Sequence, residues 1–132
     1  MVAWPIEPLA ESPSVLITDD NDAWRQVVED ILARAGFRTT QAACGEEAIE
    51  VVRTGSIDIV LIDFHMPRLD GLQTLRIIRA GGSWQPAVIM TAHPDQLPAA
   101  ETEALRVESV LTKPAERQVI VTTITRIVWR NV

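Results

Sequence analysis

Five polar side chains stand directly after short apolar runs, which is where the strands of a parallel sheet present functional groups. They are three carboxylates, one hydroxyl and one ammonium, namely Asp19, Asp20, Asp63, Thr91 and Lys113. Three carboxylates against one ammonium leave an excess of negative charge, which must be compensated if all three are to stay ionised. Oxygen ligands with room for water and phosphate favour Mg²⁺ as the compensating ion. The lysine and the hydroxyl could then hold oxygens of a group attached to one carboxylate, which is the equipment of phosphoryl transfer.

Lys113 is the only lysine in a chain whose other basic residues are all arginine. Arginine therefore serves wherever a generic positive charge is enough. A planar guanidinium cannot imitate a compact ammonium with three rotatable donors, so the single lysine suggests a contact that needs this geometry. The alternative is chance in an arginine-rich chain.

The elements that must position these groups alternate between strand and helix. Short apolar or β-branched runs predict strands, and apolar residues three and four apart predict helices. Repeated strand–helix units favour parallel pairing, so we predict an α/β fold with a five-stranded parallel sheet and helices on both faces. The predicted strands are 14–18, 37–42, 57–62, 87–90 and 110–112, and the predicted helices are 22–35, 46–54, one after Gly71, one from Ala99 and 119–128.

Two of these segments carry conflicting signals. Pro94 and Pro98 interrupt the fourth helical segment, so we expect any helix there to begin near Ala99. Residues 119–128 consist almost entirely of Val, Ile and Thr, a composition that favours strand. Their isoleucines nevertheless keep helical spacing, and on that pattern we predict a helix.

Composition is typical of a single globular domain. The chain has 132 residues, a net charge of −6 and 47% hydrophobic residues, which is enough for one buried core. The acidic balance disfavours direct nucleic-acid binding, and we expect neither a signal peptide nor a membrane span. The single cysteine, Cys44, favours a reducing compartment. We therefore expect an extended arm over 1–13, one domain over 14–132 and a cytoplasmic location.

Four short motifs resemble those of the receiver domain of bacterial two-component response regulators. Each motif lies at a predicted strand end, and the resemblance covers about residues 14–130. The motifs are VLITDDN at 15–21, LIDFHMPRLDG at 61–71, MTA at 90–92 and LTKP at 111–114. The resemblance implies the flavodoxin-like strand order 2-1-3-4-5.

The resemblance also implies that Asp63 accepts a phosphoryl group from a histidine kinase or phosphotransfer protein in a Mg²⁺-dependent reaction. Asp20 would bind the ion directly, Asp19 largely through water, and the backbone carbonyl of His65 would complete the protein ligands. The chain would be a regulatory phosphoacceptor rather than an enzyme, although it assists its own phosphotransfer and dephosphorylation. A downstream protein target is implied as a further partner, and a homodimer is left open.

Other motif residues would support this reaction. Thr91 would hydrogen-bond one phosphoryl oxygen and Lys113 would pair with another, with Lys113 held in place by a cis peptide to Pro114. Asp70 would cap the third helix, which begins at Gly71.

The chain departs from the family pattern at Val110. An aromatic residue, commonly Tyr, usually stands three residues before the lysine, and this chain contains no Tyr. Val110 therefore offers no ring for the usual coupling of a hydroxyl shift to an inward swing, and we expect altered output through the fourth helix, fifth strand and fifth helix. The only histidines, His65 and His93, stand two residues after Asp63 and Thr91. A role in the lifetime of the phosphoryl group and a simple exposed-loop position are both open for them.

Three alternatives remain at this point. Asp20, Asn21 or Asp22 could do no more than cap a helix. The chain could be a haloacid-dehalogenase-type phosphatase with its nucleophile after the first strand, although that plan leaves Asp63 unexplained. It could also be a receiver that docks proteins without switching, an interpretation that Val110 favours and the intact acidic pocket opposes.

Overall fold

Five strands and five α-helices alternate along residues 12–130, the part of the chain that the computed structural model describes. The strands are β1 (Ser14–Thr18), β2 (Arg38–Ala42), β3 (Ile59–Asp63), β4 (Ala87–Thr91) and β5 (Val107–Thr112). The helices are α1 (Asp22–Arg34), α2 (Gly45–Thr54), α3 (Gly71–Ala80), α4 (Ala99–Ala104) and α5 (Arg117–Arg130), with a 3₁₀ turn at Pro94–Gln96.

The strands form one parallel sheet in the order β2-β1-β3-β4-β5. Parallel neighbours need a crossover connection, and a helix supplies each one. Helices α1 and α5 pack on one face of the sheet, and α2 and α3 pack on the other. The predicted fold class and strand order are therefore confirmed.

The three central strands are buried along their whole length. All five residues of β1, β3 and β4 are buried, which is the pattern of strands covered on both faces. Their side chains alternate between two apolar layers: Val15 and Ile17 join the layer under α1 and α5, whereas Leu16 joins the layer under α2 and α3. This packing fixes the carboxyl ends of the central strands, where the polar residues stand.

Several strand boundaries differ from the prediction. Strand β3 covers 59–63 rather than 57–62, because the chain bends at Asp58, which forms hydrogen bonds with Ser14. The Ser14 N–H donates to Asp58 Oδ2 at 2.8 Å, and the Asp58 N–H donates to the Ser14 carbonyl. Strand β4 extends to Thr91, which pairs with Thr112, and β5 begins at Val107 rather than 110 because pairing with β4 starts there. Asp63 and Thr91 are thus the last residues of their strands.

The helix predicted over 119–128 is confirmed and extends over the whole of α5. Its Ile120, Ile124 and Ile127 are fully buried on one side, so burial of a helical stripe outweighs the strand propensity of the segment. Helix α4 begins at Ala99, as the two prolines predict. The segment carries a 3₁₀ turn before it, with Pro94 at the first position.

The predicted N-terminal arm over 1–13 lies almost entirely outside the described residues. Of its residues only Ser12 and Pro13 are described, and their carbonyls accept hydrogen bonds from the Nε and the backbone N–H of Arg38. Among the helices of residues 12–130, none combines the length and the apolar character that a membrane span requires.

The start of α3 brings two backbones into close approach. Asp70 caps the helix as predicted: its Oδ1 accepts from the Gln73 N–H at 2.8 Å, and Gln73 Oε1 accepts from the Asp70 N–H at 2.9 Å. At the next residue, Gly71, an added Cβ would lie 2.7 Å from the Asp63 carbonyl oxygen and 3.0 Å from Phe64 Cα. A side chain here therefore cannot fit without moving the backbone at the end of β3.

We predict that Gly71→Ala destabilises the protein by about 1–3 kcal/mol, because the added methyl overpacks a backbone contact that cannot relax. Urea denaturation measures the difference. Gly81→Ala is the control, since a Cβ there meets its nearest atom at an ordinary 3.5 Å. Equal midpoints for Gly71→Ala and wild type would contradict the close approach.

Candidate functional site

The predicted site residues meet at the carboxyl edge of the sheet. Asp19 follows β1, Asp63 ends β3, Thr91 ends β4 and Lys113 follows β5. Because these strands are parallel neighbours, their carboxyl ends lie side by side. The site therefore draws one or two residues from each of four strands.

Three carboxylates form a tight cluster at this edge. One oxygen each from Asp19, Asp20 and Asp63 lies within 4.8 Å of the others. Asp19 is 3% exposed and Asp63 is 5% exposed, whereas Asp20 faces solvent. The cluster is thus closed on the protein side and open toward solvent at Asp20.

Lys113 reaches across the sheet to two of these carboxylates. Its Nζ lies 2.8 Å from Asp19 Oδ2 and 3.6 Å from Asp63 Oδ2. The same ammonium lies 5.9 Å from the ring centroid of Trp24 on α1, within the range of a cation–π contact. The peptide between Lys113 and Pro114 is cis, as predicted.

The electrostatics of the cluster centre on Asp63. Burial, and then the charge of Asp19, raise the pKa of Asp63 to about 6, while Lys113 acts in the opposite direction. One ammonium therefore does not balance the carboxylates, and a proton or another cation is needed to do so. Clustered carboxylate oxygens with an open side suit a divalent metal ion, so the residues present fit the ion inferred from their chemistry.

Thr91 and the two histidines lie around this cluster. Thr91 is fully buried, and its Oγ1 accepts a hydrogen bond from the His93 N–H at 3.0 Å. The side chains of His65 and His93 are exposed, with ring centroids 6.2 Å apart in an edge-on arrangement. The two histidines therefore lie next to each other on the segments that follow β3 and β4, and Thr91 is tied to the loop that carries His93.

The N-cap alternative applies to Asn21 and not to Asp20. The Asn21 side chain accepts from the Trp24 N–H at 2.9 Å and so caps α1. Asp22 lies in the first turn and pairs with Arg25. Asp20 is left to the carboxylate cluster.

Sequence reasoning missed two side chains of α1 that touch the site. Trp24 lies beside Lys113, and Arg25 donates to the backbone carbonyl of Asp19 at 2.6 Å. Helical spacing alone places Trp24 in the apolar stripe of α1 and gives no sign of a contact with the site. The available signal was position, since both residues fall in the first turn of α1, directly after the acidic segment.

Comparison with known sequences identifies relatives over most of the chain. The family profile of the response regulator receiver domain matches residues 15–125. The transcriptional regulatory protein AfsQ1 of Streptomyces coelicolor is 30% identical over 108 residues, which cover 82% of this chain and 48% of that protein. A probable chemotaxis protein CheY of Rhizobium etli is 32% identical over 109 residues, which cover 80% of this chain and 84% of that protein. The chain therefore spans about half the length of the first relative and most of the second.

Solved structures give the same result. The Francisella response regulator 1452 receiver domain superposes with a TM-score of 0.84 at 28% identity and covers 92% of this chain and all of that one. The Vibrio cholerae chemotaxis protein CheY4 superposes with a TM-score of 0.81 at 26% identity, over 88% of this chain and 98% of that one. The comparisons do not favour the phosphatase alternative. A parallel sheet in this order, an acidic cluster at its carboxyl edge and a profile match over residues 15–125 make the chain a member of the response regulator receiver domain family.

Proposed function

We propose that this receiver domain takes a phosphoryl group onto Asp63 from a histidine kinase or phosphotransfer protein in the cytoplasm, and passes the signal to a downstream protein by changing conformation. The observation that carries the proposal is the position of Asp63. Its carboxylate is buried at the end of a central strand, beside two carboxylates and within 3.6 Å of Lys113 Nζ. Receiver domains are regulatory phosphoacceptors, and this arrangement supports an acceptor role for Asp63 over that of an enzyme nucleophile with an external substrate.

Mg²⁺ would be held by Asp20, Asp63 and the backbone carbonyl of His65, with Asp19 contributing largely through water. When bound, the ion offsets the carboxylate charge and the negative charge of an incoming phosphoryl group. An ionised Asp63 oxygen then forms a bond to phosphorus while the bond from phosphorus to the donor's imidazole nitrogen breaks. The electron pair of the broken bond stays on that nitrogen.

Lys113 and Thr91 would hold the transferred group. The Lys113 ammonium already lies between Asp19 and Asp63, so it can exchange part of this pairing for a phosphoryl oxygen. The Thr91 hydroxyl, at the end of the neighbouring strand, could donate to another phosphoryl oxygen after rotation about the Cα–Cβ bond of Thr91. Such a rotation removes the acceptor that now holds the His93 N–H.

The conformational response would therefore begin in the segment from Thr91 to Ala99. Val110, on β5, has no ring to bury, and it packs partly buried against the apolar layer under α2 and α3. We infer that little of the change reaches α5. A receiver that docks its partner without switching is the competing function. Hydrogen exchange of the wild type with and without beryllofluoride distinguishes the two functions.

Asp63→Asn is expected to abolish phosphorylation, because an amide oxygen is not the ionised nucleophile that the transfer needs. Incubation with acetyl phosphate and MgCl₂ should add one phosphoryl group to the wild type, measured by intact mass, and hydroxylamine should remove it. Asp30→Asn, an exposed substitution on α1, is the matched control and should be phosphorylated normally. Full labelling of Asp63→Asn at another single residue would contradict the assignment.

The raised pKa of Asp63 predicts a stability difference that depends on pH. The folded protein holds this proton more tightly than the unfolded chain, whose pKa is near 3.8. The contribution of Asp63 to stability is therefore present below pH 3.8 and is lost as the pH rises through about 6. Without metal, Asp63→Asn should be more stable than wild type by about 3 kcal/mol above that pH.

Urea denaturation in EDTA across this pH range measures the difference between the two proteins. The advantage of Asp63→Asn should fall toward zero as the pH drops to about 4, and MgCl₂ at neutral pH should reduce it by stabilising only the wild type. Asp30→Asn should show no comparable pH trend. An advantage of Asp63→Asn that is constant with pH would show that crowded charge at Asp63 is not its cause.

Lys113→Arg should retain Mg²⁺ binding but lose the conformational response, because the wider planar head cannot occupy the same narrow position between two carboxylates. Hydrogen exchange with and without beryllofluoride measures the response. In the wild type we expect altered protection over 91–99 and little change over 117–128. A wild type that changes nowhere beyond the pocket would favour the docking-only function, and a Lys113→Arg protein that responds normally would refute the requirement for lysine.

A further inference from the structure

The side chain of Arg25 joins three parts of the protein. Its Nη1 donates to the backbone carbonyl of Asp19 at 2.6 Å, its Nε donates to Gln41 Oε1 on β2 at 2.6 Å, and its Nη2 donates to Asp22 Oδ1 at 2.7 Å. The side chain is only 13% exposed. All three nitrogen positions of the guanidinium are therefore engaged, and one of them holds the backbone of the acidic loop.

The partner of Arg25 on β2 is itself held by a polar network. Gln41 Nε2 donates to Glu29 Oε1 at 2.8 Å, and the other carboxylate oxygen of Glu29 accepts from Thr39 Oγ1 at 3.0 Å. These bonds connect α1 to the edge strand in two places. Arg25 is thus anchored on a braced surface rather than on one flexible side chain.

Asp19 is restrained at all four of its polar atoms, and its N–H donates to the Ala42 carbonyl at 3.2 Å. Its carbonyl accepts from Arg25, its Oδ1 accepts from the Asn21 N–H at 2.9 Å and its Oδ2 accepts from Lys113 Nζ at 2.8 Å. The carbonyl belongs to the peptide that joins Asp19 to Asp20. The Arg25 bond therefore restrains that peptide, and with it the direction in which the exposed Asp20 leaves the loop.

We infer that Arg25 is a positioning residue for the cation site, acting on Asp19 and Asp20 through the peptide between them. The inference deepens the proposed function and rests on it. The charge of Arg25 by itself would have the opposite effect, because a guanidinium next to a cation-binding cluster weakens cation binding by repulsion. Geometry, rather than charge, accounts for an arginine at this position.

Positioning by Arg25 should strengthen Mg²⁺ binding, whereas charge repulsion should weaken it. The Mg²⁺ affinity of variants at Arg25 therefore distinguishes the two effects. Isothermal titration of the unphosphorylated protein with MgCl₂ gives the dissociation constant without depending on phosphorylation. We expect Arg25→Gln to bind Mg²⁺ roughly tenfold more weakly, the usual size of a lost ligand-orienting contact. Arg25→Lys should also bind more weakly than wild type, because one ammonium cannot reproduce the three-way fork.

Arg68→Gln is the matched charge control. Arg68 lies on the loop after β3, and its Nε pairs with Glu46 at 2.9 Å. Removing this charge should leave Mg²⁺ affinity unchanged or slightly stronger. Unchanged or stronger binding by Arg25→Gln as well, or full recovery in Arg25→Lys, would overturn the inference and leave Arg25 as a charge only.

Gln41→Met provides a second variant that changes no charge. It removes the acceptor that orients the guanidinium, and we expect weaker Mg²⁺ binding with a smaller loss than in Arg25→Gln. Urea denaturation identifies any variant that is unfolded. The amide resonances of Asp19 to Asn21 should shift in both Arg25→Gln and Gln41→Met. Wild-type affinity in Gln41→Met would also contradict the inference. A wild type that binds no Mg²⁺, or is not phosphorylated on Asp63, would instead refute the proposed function.

Discussion

Three carboxylates held within 4.8 Å of one another at the end of a buried sheet are the constraint on which this structure depends. Left alone they repel, and the raised pKa of Asp63 records that cost together with the cost of burial. The arrangement persists because the rest of the fold over-determines it. Strands β1 and β3 are buried along their whole length between two apolar layers, so the backbones that carry Asp19 and Asp63 cannot separate to relieve the repulsion. The crowded carboxylates destabilise the protein at this edge and form a cluster that suits a cation.

Two cationic side chains contact the acidic cluster from different elements. Lys113 reaches in from the end of β5 and pairs with Asp19 and Asp63. Arg25 reaches from α1 to the backbone of Asp19, with Gln41 as its support. The first contact is made to carboxylate oxygens and the second to a carbonyl, so only Lys113 competes directly with a metal ion or a phosphoryl group for its partners. Lys113 can therefore exchange its partner oxygens, whereas Arg25 restrains the backbone of the acidic loop.

Much of the fold and of the carboxylate cluster could be predicted because both follow from local patterns. Apolar runs and helical spacing identify the strands and helices, and parallel pairing then brings Asp19, Asp63, Thr91 and Lys113 to one edge. The contacts of Arg25 could not be predicted in this way. They depend on how far α1 stands from β2 and on which turn faces Gln41, and these distances are set by tertiary packing. The polar side chains of β2 likewise have partners on α1 that the sequence does not identify.

The two sides of the site also differ in how firmly they are held. On the α1 side, the acidic loop is fixed by Arg25, by the Asn21 cap and by pairing of the Asp19 N–H with the Ala42 carbonyl. On the other side, Thr91 is linked to the following loop through the His93 N–H, and the six-residue α4 beyond it contains no buried residue. Segments with few buried contacts open at the lowest free energy. Under the proposed function, a change of charge at Asp63 would meet a braced loop on one side and a lightly held segment on the other. We expect the direction of the response to follow from that difference in local stability rather than from a buried aromatic ring.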